Sequence, residues 1–224
     1  LEFALQVSGW REIFFALAGL TLAVAIWLFF SIPEQYSQSK PESLAAQLAG
    51  VKAVFGSAHF WRFVPIGLTL TGGFMAVQSL WSISWLMQVN GYSRAAAADH
   101  MAGMSVAMLT AYILIGLLAT GLARRGIQPV MLLAAGVGLS LLMLALIATE
   151  ALSQTHLLWI AYGTFSSFVT LVYSQSAAGF PVALSGRVNT ALNLMVFIGA
   201  FGVQWGLGLL IDLLQQLGQN PALA

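Results

Sequence analysis

The chain has 224 residues, of which 59% are hydrophobic and 7% charged, with a formal net charge of +1 and no cysteine. A soluble globular domain carries about 25% charged residues, so a water-soluble fold is excluded. The missing cysteines exclude disulfides, thiolate metal sites and cysteine nucleophiles, and the near-neutral balance offers no footprint for nucleic acid.

The opening stretch, "LEFALQVSGWREIFF", has no initiator methionine and no basic n-region. The apolar run it leads into exceeds the roughly 7 to 15 residues of a signal peptide. The closing stretch, "LLQQLGQNPALA", stops in a polar turn. Both ends are therefore expected to be internal to a longer protein.

Between them lie six apolar segments, at 11–32, 62–89, 95–123, 128–149, 156–180 and 187–214. About 20 apolar residues cross the hydrocarbon core as a helix, so each segment predicts one span and the fold class is all-α, a polytopic membrane protein. The connection from Ile32 to Trp61 is long and polar. Within it Ser39, Lys40, Pro41 and Glu42 form an S-x-x-E capping box. Leu44, Leu48, Val51 and Phe55 then recur at helical spacing, which predicts a short amphipathic helix at the membrane surface.

Basic residues are retained in the cytoplasm. Lys40, Lys52, Arg62, Arg124, Arg125 and Arg187 fall on one side and only Arg11 and Arg94 on the other. The long connection and the two basic turns are accordingly placed inside, and both ends of the chain outside.

Polar residues are sorted within the segments. At about 100° per residue, Tyr162, Ser166, Thr170 and Tyr173 fall within roughly 80° of the fifth segment, with Phe165, Phe168 and Val169 opposite. On the sixth, Asn189, Asn193, Ala200 and Gln204 share a face, while Gly199, Gly202 and Gly206 share roughly the reverse one and offer a G-x-x-x-G packing surface. Gln78 and Trp85 align with Thr71 and Ser82 on the second. The first and fourth segments have almost no polar interior residue besides Thr21 and Ser140, which predicts lipid-facing helices. On the third, Met101, Met104 and Met108 form a row that reads as packing. Hydroxyls are ordinary interhelical glue; a larger group such as Gln78, Asn189, Asn193 or Tyr162 must find either a protein partner or a water-filled path.

Several patterns resemble the major facilitator superfamily (MFS) of twelve-helix secondary transporters. "GWREIFF" is similar to the turn before the sixth helix of bacterial members. "GLLATGLARRG", residues 116–126, resembles the cytoplasmic loop pattern G-x-x-x-D-R-x-G-R-R, matching at Gly116, Arg124 and Arg125. Thr120 stands where that pattern has its acid, which leaves a charge relay at this loop without its carboxylate. "GRVNTALN", residues 186–193, resembles the loop entering the eleventh helix.

The resemblance implies helices six to eleven, and hence most of the C-terminal half of an MFS-type bundle. Residues 1–32 would be the sixth helix, 33–61 the cytoplasmic linker, and 62–224 the C-terminal domain without its last helix. It also implies a transporter, in a bacterial cytoplasmic (inner) membrane, working by alternating access. The substrate-cavity candidates are Gln78, Trp85, Tyr162, Ser166, Tyr173, Asn189, Asn193 and Gln204, which as neutral groups suit hydrogen bonding and stacking. Gly116, Arg124, Arg125 and Arg187 are candidates for a cytoplasmic gate, with headgroup anchoring the other role open to Arg187.

Expected partners are a small-molecule substrate, protons as the coupling ion to consider, the lipid bilayer and a missing N-terminal half. No cofactor, metal, catalytic residue or nucleic acid is expected. Proton relays use intramembrane acids or histidines, and Asp99 with His100 is the best pair available, although its helix-end position also suits plain solvation. An intramembrane enzyme finds no G-x-S-x-G or H-E-x-x-H motif to support it. A six-helix channel or receptor subunit stays open as an alternative.

Overall fold

The computed structural model describes residues 10–31, 43–152 and 154–217. Among them there is no strand, and six helical stretches are long and apolar enough to cross a membrane. The chain is an all-α, multi-pass membrane protein.

Contacts divide it into two compact units, 1–46 and 47–224. In the first unit, α1 (Trp10–Ser31) is an apolar span in which the Thr21 hydroxyl donates to the Leu17 carbonyl, 2.8 Å away. This back-bonding hides a hydroxyl from lipid.

The helix α2 (Leu44–Phe55) coincides with the predicted surface helix. The S-x-x-E box at Ser39–Glu42 lies outside the described residues. Within them, Ser43 supplies the cap, its Oγ accepting the Ala46 N–H at 3.2 Å. The periodic row Leu44, Leu48 and Val51 is exposed, while Gly50 and Val54 are buried.

The second span, Ala58–Gln88, is not one regular helix. It consists of α3 (Ala58–Pro65), a π-helical turn (Ile66–Thr71), α4 (Gly72–Ala76), a second π-helical turn (Val77–Trp81) and α5 (Ser82–Gln88). Pro65 brings no N–H to the ladder, and the Thr69 hydroxyl donates to the Pro65 carbonyl at 2.7 Å. A Thr side chain that satisfies a displaced carbonyl is how an irregular turn is tolerated at membrane depth.

The third span is α6 (Arg94–Arg124), capped by Ser93 Oγ on the Ala96 N–H at 3.2 Å. It ends in a left-handed Gly126 (φ 85°), with Gly126 N–H bonded to Ala123 O and Ile127 N–H to Leu122 O, both 3.0 Å. This is a Schellman stop, and it explains the glycine after the arginine pair. The fourth span is α7 (Pro129–Ala148), begun by a proline whose missing N–H is no loss in a first turn. The fifth is α8 (Thr155–Ser167), a 3-10 turn (Phe168–Thr170) and α9 (Leu171–Ala177). A short 3-10 turn (Val182–Leu184) leads into α10 (Ser185–Gln216), the sixth span.

Small residues decide which helices touch. In lipid no hydrophobic force drives helices together, so close van der Waals contact must do it. A Cβ at Gly72 would lie 2.6 Å from the Ala200 nitrogen, and one at Gly199 would run into the Leu68 carbonyl, so the second and sixth spans meet backbone to backbone. Gly136 is pressed in the same way against Phe168 and the Phe165 carbonyl of the fifth span.

One expectation changes here. The fourth span is not merely lipid-facing, because Leu133, Gly136, Ser140 and Ile147 form a buried face against the fifth span, and the Ser140 hydroxyl bonds the Val137 carbonyl at 3.0 Å. The fifth span is the most buried of the six, and its apolar side, including Val169 and Val172, is covered by protein rather than left to lipid.

Candidate functional site

The sixth span has three faces, set by the 100° step of a helix. Val188, Leu192, Val196 and Gly199 are buried, Gly199 and Val196 directly against the second span. Leu194, Ile198, Phe201 and Trp205 form an exposed apolar face on the other side. Asn189, Asn193 and Gln204 lie on a third face between these two, with Asn189 and Asn193 exposed and Gln204 half-buried.

That third face collects polar partners from neighbouring spans. The Tyr173 hydroxyl of α9 donates to the Asn193 side-chain oxygen at 3.1 Å. The Gln204 amide donates to the Ser79 hydroxyl at 3.1 Å, and Ser79 belongs to the second π-helical turn. Beside it, the Gln78 amide reaches only the Met108 sulfur, at 3.6 Å. Sulfur is a weak acceptor, which leaves Gln78 with most of its hydrogen-bonding capacity unused by that contact.

Tyr162 and Ser166 are placed elsewhere. Tyr162 is 4% exposed and packs against Phe74 and Trp159, with ring centroids 5.3 and 5.9 Å away. The neighbouring Gly163 is seated against Met104 and Met108, so those two methionines of the predicted row pack against the fifth span. Tyr162 and Ser166 line a cavity of about 590 Å³ with Leu70, Phe74, Ser140 and Val203, at the level where both the second and the fifth spans leave regular helical geometry. Trp85 stacks edge-on against Trp159 at 5.8 Å and lines a second cavity, also about 590 Å³, with Gln88, Asp212 and Gln215 at the other end of the second and sixth spans.

The eight cavity candidates thus fall into separate groups rather than one chamber. Asn189, Asn193 and Gln204 share the polar face of α10, where Tyr173 of α9 bonds Asn193; Gln78 stands next to Ser79, the partner of Gln204; Tyr162 with Ser166, and Trp85, line two other cavities. The irregular turns that position Ser79, Thr69 and Val169 went unnoticed in the sequence, where Pro65 inside an apolar run was the available signal.

Of the remaining candidates, Arg124 and Arg125 are exposed at the end of α6, and Gly116 faces open space among the described residues. Arg187 opens the sixth span with its guanidinium over Gly50 of α2. Gly202 and Gly206 differ from expectation: no described atom lies within 4 Å of a Cβ at either, and the close approach runs through Gly199 and Gly72 instead.

Near the start of α6, Asp99 is exposed and His100 half-buried. The His100 Nδ1 stands 2.7 Å from the Ala96 carbonyl, and its ring packs between Tyr92 and His156 at 4.6 and 4.5 Å. Among the described residues no group of three His, Asp or Glu side chains stands close enough to hold a metal ion.

Six apolar spans, two of them irregular at mid-length, with neutral polar side chains paired between helices, define a multi-pass helical membrane protein. The sequence places it more narrowly. Residues 2–203 match the family model of the Major Facilitator Superfamily, and the chain belongs to that family of membrane transporters. No curated protein and no solved structure matches it.

Proposed function

We propose that this chain forms part of a secondary transporter that moves a small neutral solute by alternating access, in a bacterial inner membrane. The observation that carries the reading is the polar face of α10, where Asn193 is held by Tyr173 and Gln204 by Ser79. An exposed row of amides is unfavourable against acyl chains, so this face fits a wet pathway between two helical halves. Amides and a phenol recognise a solute by directed hydrogen bonds, without an ion pair. Irregular turns beside the row suit a site near the membrane midplane, where transporters place discontinuous helices. Gln78, next to Ser79, keeps most of its hydrogen-bonding capacity for a solute. A second half of the same protein would supply the facing wall, and protons are the coupling ion to test first.

The test is a solute-uptake and efflux screen on the complete protein in sealed vesicles, with and without an imposed proton gradient. A transported solute whose flux collapses in Asn193→Ala and Gln78→Leu supports the pathway. Unchanged flux in both variants places the pathway elsewhere.

A further inference from the structure

At the basic end of the bundle, α2 and the first turns of α10 enclose a groove of about 600 Å³. Val54, Phe55, Ala191 and Leu194 line it together with Arg187 and Thr190. The groove is thus mostly apolar, with one cationic side chain in its lining. We propose that it is a binding site for one anionic phospholipid of the cytoplasmic leaflet, with the phosphate at Arg187 and an acyl chain along Leu194.

Three features carry this. First, Arg187 lies on the same helical face as Leu194, Ile198, Phe201 and Trp205, all exposed. From Leu194 to Trp205 a helix rises about 16 Å, which is half of the roughly 30 Å hydrocarbon core and the reach of one leaflet's acyl chain. The groove therefore continues into an apolar track of the right length, with the guanidinium at headgroup level.

Second, the chemistry around Arg187 matches a phosphodiester. Guanidinium is the side chain best suited to grip phosphate through parallel N–H bonds. Thr190 adds a hydroxyl, and α10 begins without a side-chain cap while Gly186 leaves its backbone open to approach. Lys52 on α2 and the exposed Arg124 and Arg125 lie at the same end of the bundle and draw anionic lipid to it.

Third, the arginine is positioned. A Cβ at Gly50 would lie 2.6 Å from the Arg187 Nη1, so the glycine leaves room for the guanidinium to rest against α2, and a side chain there would displace it. The lipid would then join the linker helix to the sixth span.

Native mass spectrometry of the full chain, released from micelles supplied with phosphatidylglycerol or phosphatidylcholine, tests the proposal. One phosphatidylglycerol is expected to remain bound, about fivefold preferred over phosphatidylcholine, the discrimination one basic side chain gives at a membrane surface. Arg187→Gln should erase that preference. Thr190→Trp, which fills part of the groove and keeps the arginine in the sequence, should lower retention of both lipids. Excess inorganic phosphate should not displace the lipid, since it has no chain to seat. Equal retention of the two lipids by the unaltered chain, a preference that survives Arg187→Gln, full retention in Thr190→Trp, or displacement by phosphate would each overturn it. Lipid retention is read without transport, so this result stands apart from the transport assay.

Discussion

The Tyr173 hydroxyl donates to the side-chain oxygen of Asn193 across 3.1 Å, tying α9 to α10 by a bond between two neutral groups. Both residues are partly or fully open on the side away from the packed core. Interhelical hydrogen bonds in membranes contribute only about 0.6 kcal/mol on average. Tyr173→Phe and Asn193→Ala should each lower stability by about that amount, and the double variant by less than the sum. Flux through the complete protein should fall far more than so small a loss explains. A double-mutant cycle on thermal unfolding, run beside the flux assay, separates the two; additive stability losses would mean that the pair does not interact.

Close helix contact makes a sharper prediction. A side chain at Gly199 meets the Leu68 carbonyl, whereas one at Gly202 or Gly206 meets no described atom. Forcing extra atoms into a packed interface costs about 1–3 kcal/mol, and more when backbone must yield. Gly199→Leu should therefore destabilise the chain by at least that much, with Gly202→Leu within about 0.5 kcal/mol of the parent. Denaturant titration in micelles ranks them, and an equal loss in both would place the contact at the wrong glycine.

The spans were legible because bilayer thickness sets their length. The site was legible only in part. Hydroxyls mislead: those of Ser82, Ser105, Thr164 and Ser167 each bond the carbonyl four residues back, so a serine facing a neighbour need not face water. Amides have no such retreat, and Asn193 and Gln204 did find partners on neighbouring spans. Tyr162 shows the converse, since an aromatic ring with one polar atom serves as well inside a packed cluster as on a wet wall. The irregular turns at Ile66–Thr71 and Phe168–Thr170 depend on how neighbouring helices press together, which helical periodicity does not record.

Glu150 offers a prediction about backbone alone. It stops α7 with φ at 49°, its N–H bonded to Ile147 O at 3.2 Å and the Ala151 N–H to Leu146 O at 3.3 Å, the place glycine usually holds. A non-glycine residue held there costs about 1 kcal/mol. Glu150→Gly should raise stability by roughly that amount, and Glu150→Ala, which keeps the Cβ, should not. Equal stability of the two variants in a thermal melt would show that the carboxylate, rather than the backbone, decides this turn.

The absence of native cysteine makes the three faces of α10 directly addressable, because an introduced cysteine is the sole thiol in the chain. Asn189, Asn193, Leu194 and Phe201 are all exposed, so geometry alone does not distinguish them. Their surroundings in a bilayer do. A thiol reacts as its thiolate, which needs water; against acyl chains it stays protonated and inert. In membrane vesicles, cysteine at Asn189 or Asn193 should react with a charged maleimide on the order of tenfold faster than cysteine at Leu194 or Phe201. In micelles stripped of lipid the two pairs should draw closer, since all four sites are open there. Uniform labelling in vesicles would mean that the amide row does not border water, and the pathway proposed along it would lose its physical basis.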